Sequence, residues 1–127
     1  MSGPRDESII LESLVDAASR LIDLGRDVPR DHIGDDRDDR ERILWNLVVL
    51  GESSKRLSIK VRSRFADVPW SEMARTRDVV AHHYDGIIWP RVAEIIQDRL
   101  PSLLPQLASI RDTVRAEFDA AEAARDR

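Results

Sequence analysis

The stretch ILESLVDAASRLIDLG, from Ile10 to Gly25, decides the fold of this chain. Its apolar residues recur at steps of three and four: Ile10, Leu11, Leu14, Ala17, Ala18, Leu21 and Leu24. Such a stripe is typical of an amphipathic α-helix with one buried face. We predict that this first helix ends near Gly25, because glycine favours the backbone conformation found just past a helix.

The same periodicity continues through the chain. Residues 26–35 contain Pro29 and Gly34 and are predicted to be a connecting loop. Asp35-Asp36 then begins a long second helix, since acidic residues suit its positive end. A metal-binding loop is the alternative for this aspartate run, but the interleaved arginines compete for the carboxylates and the spacing matches no calcium loop. Residues 59–65 add a short basic turn.

The second half is divided by prolines. Pro69-Trp70-Ser71-Glu72 is predicted to begin a helix that ends near Asp85-Gly86, and Trp89-Pro90 to begin the next. Pro101 and Pro105 are expected to separate that helix from a last one, with Ser102 as its N-cap. We therefore predict an all-α fold, an antiparallel bundle of four or five helices. It forms a single domain over 1–127, with its core at 8–115 and a frayed tail at 117–127.

Composition excludes several classes of protein. With no cysteine among 127 residues the chain has no disulfide and no thiolate metal site, which suits a reducing cytoplasm. No apolar run approaches the roughly 18 residues that a membrane span needs, and the first residues show no signal peptide. We expect a cytoplasmic protein without membrane contact.

Charge is unevenly spread. The net charge of the chain is −4, but residues 55–77 contain seven basic residues and two acidic ones. The net charge is therefore +5 for this window and −9 for the rest of the chain. Such a zone can steer a polyanion, although any one side chain could simply be solvated. Four candidates for RNA contact lie in this zone: Lys55, Arg56, Arg62 and Arg64.

The second helix is apolar almost all round from Ile43 to Leu50. One buried face needs only three or four such residues in two turns. Either a second surface, such as another copy of the chain, covers the extra face, or the helix is central in its own bundle. Gly51 follows in mid-helix, which predicts a close backbone approach, and Glu52 is expected to be a buried, hydrogen-bonded carboxylate.

The stretch with most chemistry is Arg77-Asp78-Val79-Val80-Ala81-His82-His83-Tyr84. Asp78 and His82 are four apart, so the carboxylate could orient the imidazole. Arg77 and His82 are about 140° apart around a helix. They could meet on one phosphate if Arg77 swept round, if the helix ended before His82, or if a second subunit completed the site. Arginine and histidine together could cut RNA without a metal.

Plainer interpretations of this stretch stand beside the catalytic one. Asp78 could pair with a neighbouring arginine at the surface, and Tyr84 could be a half-buried aromatic with a solvated hydroxyl. A zinc site at His82-His83 is disfavoured, because adjacent helical side chains diverge by about 100° and no third ligand is evident. His83 is then a solvent-facing or packing residue.

These residues resemble the HEPN superfamily and, within it, the HepT-like toxins of HepT–MntA toxin–antitoxin pairs. The motif is Arg, four to six residues, then His, with Tyr two positions later, which Arg77, His82 and Tyr84 match. Other segments agree with the family, namely Gly51-Glu52-Ser53-Ser54-Lys55, Val68-Pro69-Trp70, Trp89 and Asp98-Arg99-Leu100-Pro101. The resemblance covers roughly residues 8 to 115.

The resemblance implies a homodimer whose motif helices border a composite cleft, and a metal-independent endoribonuclease without cofactors. By match, Arg77 and His82 form the catalytic pair. Asp78 stands where the family often has Asn, and its charge would oppose a phosphate. The family further implies a cognate MntA-like nucleotidyltransferase antitoxin that adds AMP to Tyr84, which would block RNA.

Three functions therefore compete. The leading hypothesis is an RNA-cutting toxin that acts as a dimer. The second is a non-catalytic HEPN module that docks a nucleotidyltransferase and binds nucleotide or substrate for it. The third is a plain dimerisation bundle.

Overall fold

The computed structural model describes residues 5–82 and 84–126, and all regular structure in them is helical. Six α-helices follow one another: α1 Ser8–Gly25, α2 Arg37–Arg56, α3 Ile59–Arg64, α4 Trp70–His82, α5 Trp89–Glu94 and α6 Leu100–Arg125. A π-helical turn, Ile95–Arg99, joins α5 to α6 into one long rod, so the bundle has five rods. The predicted all-α bundle is confirmed. His83 lies outside the described residues, and so do the predictions made for it.

The predicted stripe on α1 forms the centre of the core. Its residues are buried from Ile10 to Leu21, and α1 packs between α2 and α6. The start of α1 is fixed by two carboxylates. Asp6 accepts hydrogen bonds from the Ser8 backbone N–H at 3.0 Å and its hydroxyl at 2.6 Å. Glu7 accepts from the backbone N–H of Ser58 at 2.6 Å, which ties α1 to the α2–α3 junction.

The start of α2 agrees with the acidic cluster. The Asp36 side chain accepts a hydrogen bond from the Asp39 N–H at 2.9 Å, as an N-cap does. The loop before it differs from prediction, because it contains a 3₁₀ turn, Arg30–His32. His32 Nδ1 lies 2.8 Å from an oxygen of Asp35, and this hydrogen bond raises the pKa of the imidazole.

The helix that carries the motif begins where the sequence predicts. Trp70 is buried and its indole N–H donates to the Phe65 carbonyl at 3.0 Å, which fixes the approach of the chain to α4. Its end differs from the prediction, since Tyr84–Gly86 form a 3₁₀ turn rather than a further part of the α-helix Trp70–His82. Such a turn commonly finishes an α-helix.

The prolines do not divide the last rod, so that prediction is wrong. Pro101 is the second residue of α6, where a missing N–H does little harm, and Pro105 lies inside the helix on its exposed side. Ser102 is not an N-cap, because its hydroxyl donates back to the Arg99 carbonyl at 2.9 Å. Buried Leu107 and Ile110 of α6 pack into the core and stabilise this continuous path.

The tail that we expected to fray is helical as far as Arg125. Glu117 at its start receives two hydrogen bonds from the Arg64 guanidinium of α3, at 2.7 and 2.9 Å. Among residues 5–82 and 84–126, no helix has the length and hydropathy needed to cross a bilayer.

Candidate active site

The crossing of α2 and α4 builds the site. A Cβ atom placed on the buried Gly51 would lie 2.5 Å from Arg77 Cβ and 2.7 Å from the Arg77 backbone nitrogen. Any side chain here would push the helices apart, because one obstacle is rigid backbone. The predicted close approach at Gly51 is confirmed, and it brings Arg77 against the adjoining face of α2.

Glu52 fixes the orientation of Arg77. Its Oε1 lies 2.7 Å from Arg77 Nε, in an ion pair whose side chains are 46% and 36% exposed. The expectation of a buried Glu52 is therefore wrong. The carboxylate stands at the open edge of the α2–α4 contact, where Arg77 rather than burial determines its conformation. Because Glu52 binds Arg77 through Nε, the two terminal nitrogens of the guanidinium are not held by Glu52.

Asp78 is held by a second cation. Lys55 Nζ lies 2.6 Å from Asp78 Oδ1, and Arg77 Nη1 lies 3.4 Å from the same oxygen. The Lys55 hydrogen bond holds the pKa of the Asp78 carboxyl below its usual range, against a smaller opposing effect of desolvation. Glu52, Lys55, Arg77 and Asp78 form an alternating row of charges, named here the ion row, whose formal sum is zero.

His82 stands apart from the ion row. It is the last residue of α4 and is exposed, whereas Arg77 faces α2. Because α4 continues through His82, a helix end before that residue is ruled out as a way for the pair to meet. Asp78 does not orient the imidazole, since no hydrogen bond or ion pair joins them within residues 5–82, and Lys55 occupies the carboxylate instead.

Tyr84 lies just beyond α4 and is more exposed than expected, at 59%. It borders a shallow apolar depression together with Trp45, which is 64% exposed. Glu41, Leu44, Val48 and Val80 also line this surface, which we name the tryptophan face. The extra apolar side of α2 is thus covered in part by the bundle, and Trp45 remains at the surface.

The four candidates for RNA contact take different positions. Lys55 joins the ion row, while Arg56 is exposed at the end of α2. Arg62 is partly buried on α3, and its Nε has no hydrogen-bond partner within the described part of the chain. Arg64 is engaged by Glu117 and stacks over the Phe65 ring at 4.9 Å. Of the four, Lys55 is the one that the structure brings to Arg77 and Asp78.

Sequence reasoning missed the pairing of Glu52 with Arg77 and of Lys55 with Asp78. The sequence does show that Glu52 and Lys55 share one face of α2 beside Gly51, because residues three apart on a helix lie on one face, but it does not show their partners on α4. Over residues 5–82 and 84–126, no group of three or more histidines and carboxylates is arranged to hold a metal ion.

Comparison with known proteins gives the family of this chain. The family profile described as "Ribonuclease HepT-like" matches residues 9–110. The "Putative RNase MJ0127" of Methanocaldococcus jannaschii is 26% identical over 113 residues, which cover 89% of this chain and 93% of that one. The "Putative RNase MJ1380" of the same organism is 25% identical over 99 residues, covering 78% and 91% of the two chains.

A further relative carries the family's own name. The "Probable ribonuclease HepT" of Thermococcus cleftensis is 24% identical over 107 residues, covering 84% of this chain and 97% of that one. No solved structure matches this chain significantly. The profile match spans most of the chain, including both helices that build the ion row, and the chain therefore belongs to the HepT-like ribonuclease family.

Proposed function

We propose that this protein is the toxin of a toxin–antitoxin pair and cuts RNA without a metal ion. The observation that carries the proposal is the ion pair between Glu52 Oε1 and Arg77 Nε, at 2.7 Å. This contact holds the guanidinium through Nε, so its terminal nitrogens can bind a phosphate once the 3.4 Å contact of Nη1 with Asp78 is replaced. The planar fork of arginine is well suited to such an anion. Its place in a chain of the HepT-like ribonuclease family makes RNA the substrate we propose.

The proposed reaction uses the RNA's own 2′-hydroxyl. His82 removes the hydroxyl proton, and the oxygen forms a bond to the adjacent phosphorus. The P–O5′ bond breaks, the leaving oxygen takes a proton from an imidazolium, and a cyclic phosphate remains. Arg77 stabilises the extra negative charge of the crowded phosphate during this exchange.

Asp78 is compatible with phosphate binding because of Lys55. The carboxylate lies closer to Lys55 than to Arg77, at 2.6 and 3.4 Å. We propose that the incoming phosphate replaces Asp78 at Arg77 while Lys55 keeps the carboxylate. Asp78 then acts as a positioning residue that holds Lys55 beside the RNA.

Arg77 and His82 are proposed to meet across two copies of the chain. Since they diverge by about 140° on one helix, a symmetric pair would let Arg77 of one copy face His82 of the other. The tryptophan face supports this assembly, because Trp45 is 64% exposed beside the end of α4. Large exposed aromatics are enriched in protein interfaces.

The exposed hydroxyl of Tyr84 is the proposed target of the antitoxin. A nucleotidyltransferase would transfer the AMP group of ATP to this oxygen, two positions after His82 in the sequence, with release of pyrophosphate and the hydroxyl proton. The added phosphate would repel RNA, and the nucleoside would obstruct the cleft. The lack of cysteine agrees with a cytoplasmic site of action.

Cleavage of RNA by purified variants tests the proposal. Arg77→Ala and His82→Ala should each lower the rate at least about 100-fold, the usual contribution of such groups. Arg20→Ala, which removes an exposed arginine of α1, is the control and should cleave like wild type. If both site variants keep wild-type activity, the toxin proposal fails. If neither the wild type nor any variant cleaves RNA, the non-catalytic HEPN module becomes the favoured function.

A further inference from the structure

We propose that an apolar pocket between α4 and α5 binds one nucleotide of the RNA strand, next to the linkage that is cut. The base would enter the pocket, and Arg75 and Arg91 at its walls would bind the flanking phosphates. This inference rests on the proposed function for its ligand. The pocket itself is separate from the ion row, because none of the ion row's four residues lines it.

The pocket has the size and walls of a ligand site. Its volume is about 450 Å³, within the range of ordinary small-molecule sites. Aliphatic side chains form its walls, among them Val79 and Val80 of α4 and Val92 and Ile95 of the last rod. Ile95 begins the π-helical turn, and such irregular turns often occur at functional sites.

The charged side chains around the pocket favour an anionic ligand. Three ionisable side chains line it, two arginines and Glu72. Glu72 is already neutralised by an ion pair with Arg99. Arg75 and Arg91 are exposed, and neither forms an ion pair with any residue in 5–82 or 84–126. An apolar cavity with two available guanidinium groups suits a ligand with a flat apolar part and a phosphate.

The pocket's position favours RNA over a free small molecule. Arg75, Val79 and His82 share one exposed stripe of α4, since residues seven apart on a helix lie within about 20° of each other. Arg75 is about 10 Å from His82 along the helix axis. A strand whose scissile phosphate meets His82 therefore passes the pocket within a few nucleotides.

The lining also predicts how the base is recognised. Thr76 carries the one hydroxyl in the pocket wall, and its Oγ1 is engaged with the carbonyl oxygens of Met73 and Leu47, at 2.7 and 3.1 Å. Apart from the two arginines, which we assign to phosphates, no side chain lining the pocket within the described residues is then free to donate to a base edge. Contact with the faces of bases is tolerant of sequence. We expect poly-A, poly-C and poly-U oligomers to bind with affinities that agree within about threefold.

Fluorescence anisotropy with a labelled single-stranded hexanucleotide tests the pocket directly. All proteins carry His82→Ala, so that binding is measured without cleavage. Arg91→Ala should weaken binding about tenfold, as loss of a charge-assisted contact does, and should reduce the salt slope by about 0.7. Val79→Trp should fill the pocket mouth and weaken binding at an unchanged salt slope.

Two matched variants on α1 control for these changes. Arg20→Ala removes an exposed arginine outside the pocket, and Ile9→Trp enlarges an exposed apolar side chain there. Thermal denaturation shows that each protein is folded. The pocket proposal is wrong if Arg91→Ala and Val79→Trp bind like their controls. It is equally wrong if Val79→Trp changes the sedimentation of the protein, because a second copy of the chain would then occupy the pocket.

The two proposals fail in different ways. If cleavage depends on Arg77 and His82 but the pocket variants bind like their controls, the pocket proposal alone fails. If no protein cleaves RNA while Arg91→Ala still weakens binding, the nuclease proposal fails and the pocket stands. If no hexanucleotide binds and the wild-type protein does not cleave RNA, both fail.

Discussion

Gly51→Ala is expected to reduce activity far more than stability. The new Cβ would lie 2.5 Å from Arg77 Cβ, whereas ordinary contacts begin near 3.4 Å, so α2 and α4 must separate by roughly 0.9 Å. Overpacking of this kind lowers the free energy of unfolding by about 1–3 kcal/mol, and the better helix propensity of alanine returns about 1 kcal/mol. The net loss is up to about 2 kcal/mol.

Two measurements on Gly51→Ala, its Tm and its rate of RNA cleavage, separate a loss of stability from a displacement of the site. At about 4 °C per kcal/mol for a chain of this size, Tm measured by circular dichroism should fall by up to about 8 °C. A displacement near 1 Å at a catalytic group can cost about 100-fold in rate, so RNA cleavage at 25 °C should fall by about that factor while the protein remains folded. Ser109→Ala on the exposed side of α6 changes propensity alone and should leave both values near wild type. A Gly51→Ala protein with unchanged Tm and full activity would refute the reasoning.

Three further variants probe the ion row. Glu52→Gln removes the charge that holds Arg77 Nε, and because the pair is partly exposed, the free energy of unfolding should change by less than about 1 kcal/mol. The rate of single-turnover RNA cleavage should fall about tenfold, because Arg77 loses its fixed position. An unchanged rate would contradict the positioning role of Glu52. Lys55→Met should raise the Asp78 pKa toward its usual range in an NMR titration of the carboxyl carbon, because the hydrogen bond from Lys55 is the largest cause of its depression. The pKa of Asp78 is lower in the folded protein than in the unfolded chain, so the Lys55–Asp78 pair contributes its full stabilisation above the unfolded aspartate pKa of about 3.9. This stabilisation is lost as the pH falls through the folded-state pKa. The Tm difference between wild type and Lys55→Met should therefore shrink on acidification. Asp78→Asn removes the carboxylate that holds Lys55 beside the RNA and should weaken RNA binding in the His82→Ala background, whereas tighter binding would show that the charge of Asp78 only opposes the phosphate.

Local patterns predicted much of this structure. The stripe from Ile10 to Leu24 and the acidic start of α2 depend on contacts within one helix, so the sequence shows them directly. Gly51 was informative because a glycine in mid-helix is unfavourable unless another backbone approaches it.

Features set by tertiary contacts were less predictable. Proline normally interrupts a helix, yet Pro105 lies inside α6 because the packing of that helix on α1 outweighs the local preference. Glu52 and Lys55 are ordinary surface residues by type, and their partners on α4 are more than 20 positions away. No pattern within α2 identifies those partners, which depend on how the two helices cross.

The most direct test of the account is complementation between Arg77→Ala and His82→Ala chains. Each inactive protein carries a different tag, and mixed dimers are formed by co-expression and purified through both tags. If Arg77 of one copy acts with His82 of the other, one of the two sites in each mixed dimer is intact, and cleavage should return to about half the wild-type rate per dimer. If mixed dimers stay as inactive as either parent while wild-type protein cleaves RNA, the two groups do not act across copies and the proposed composite site is wrong.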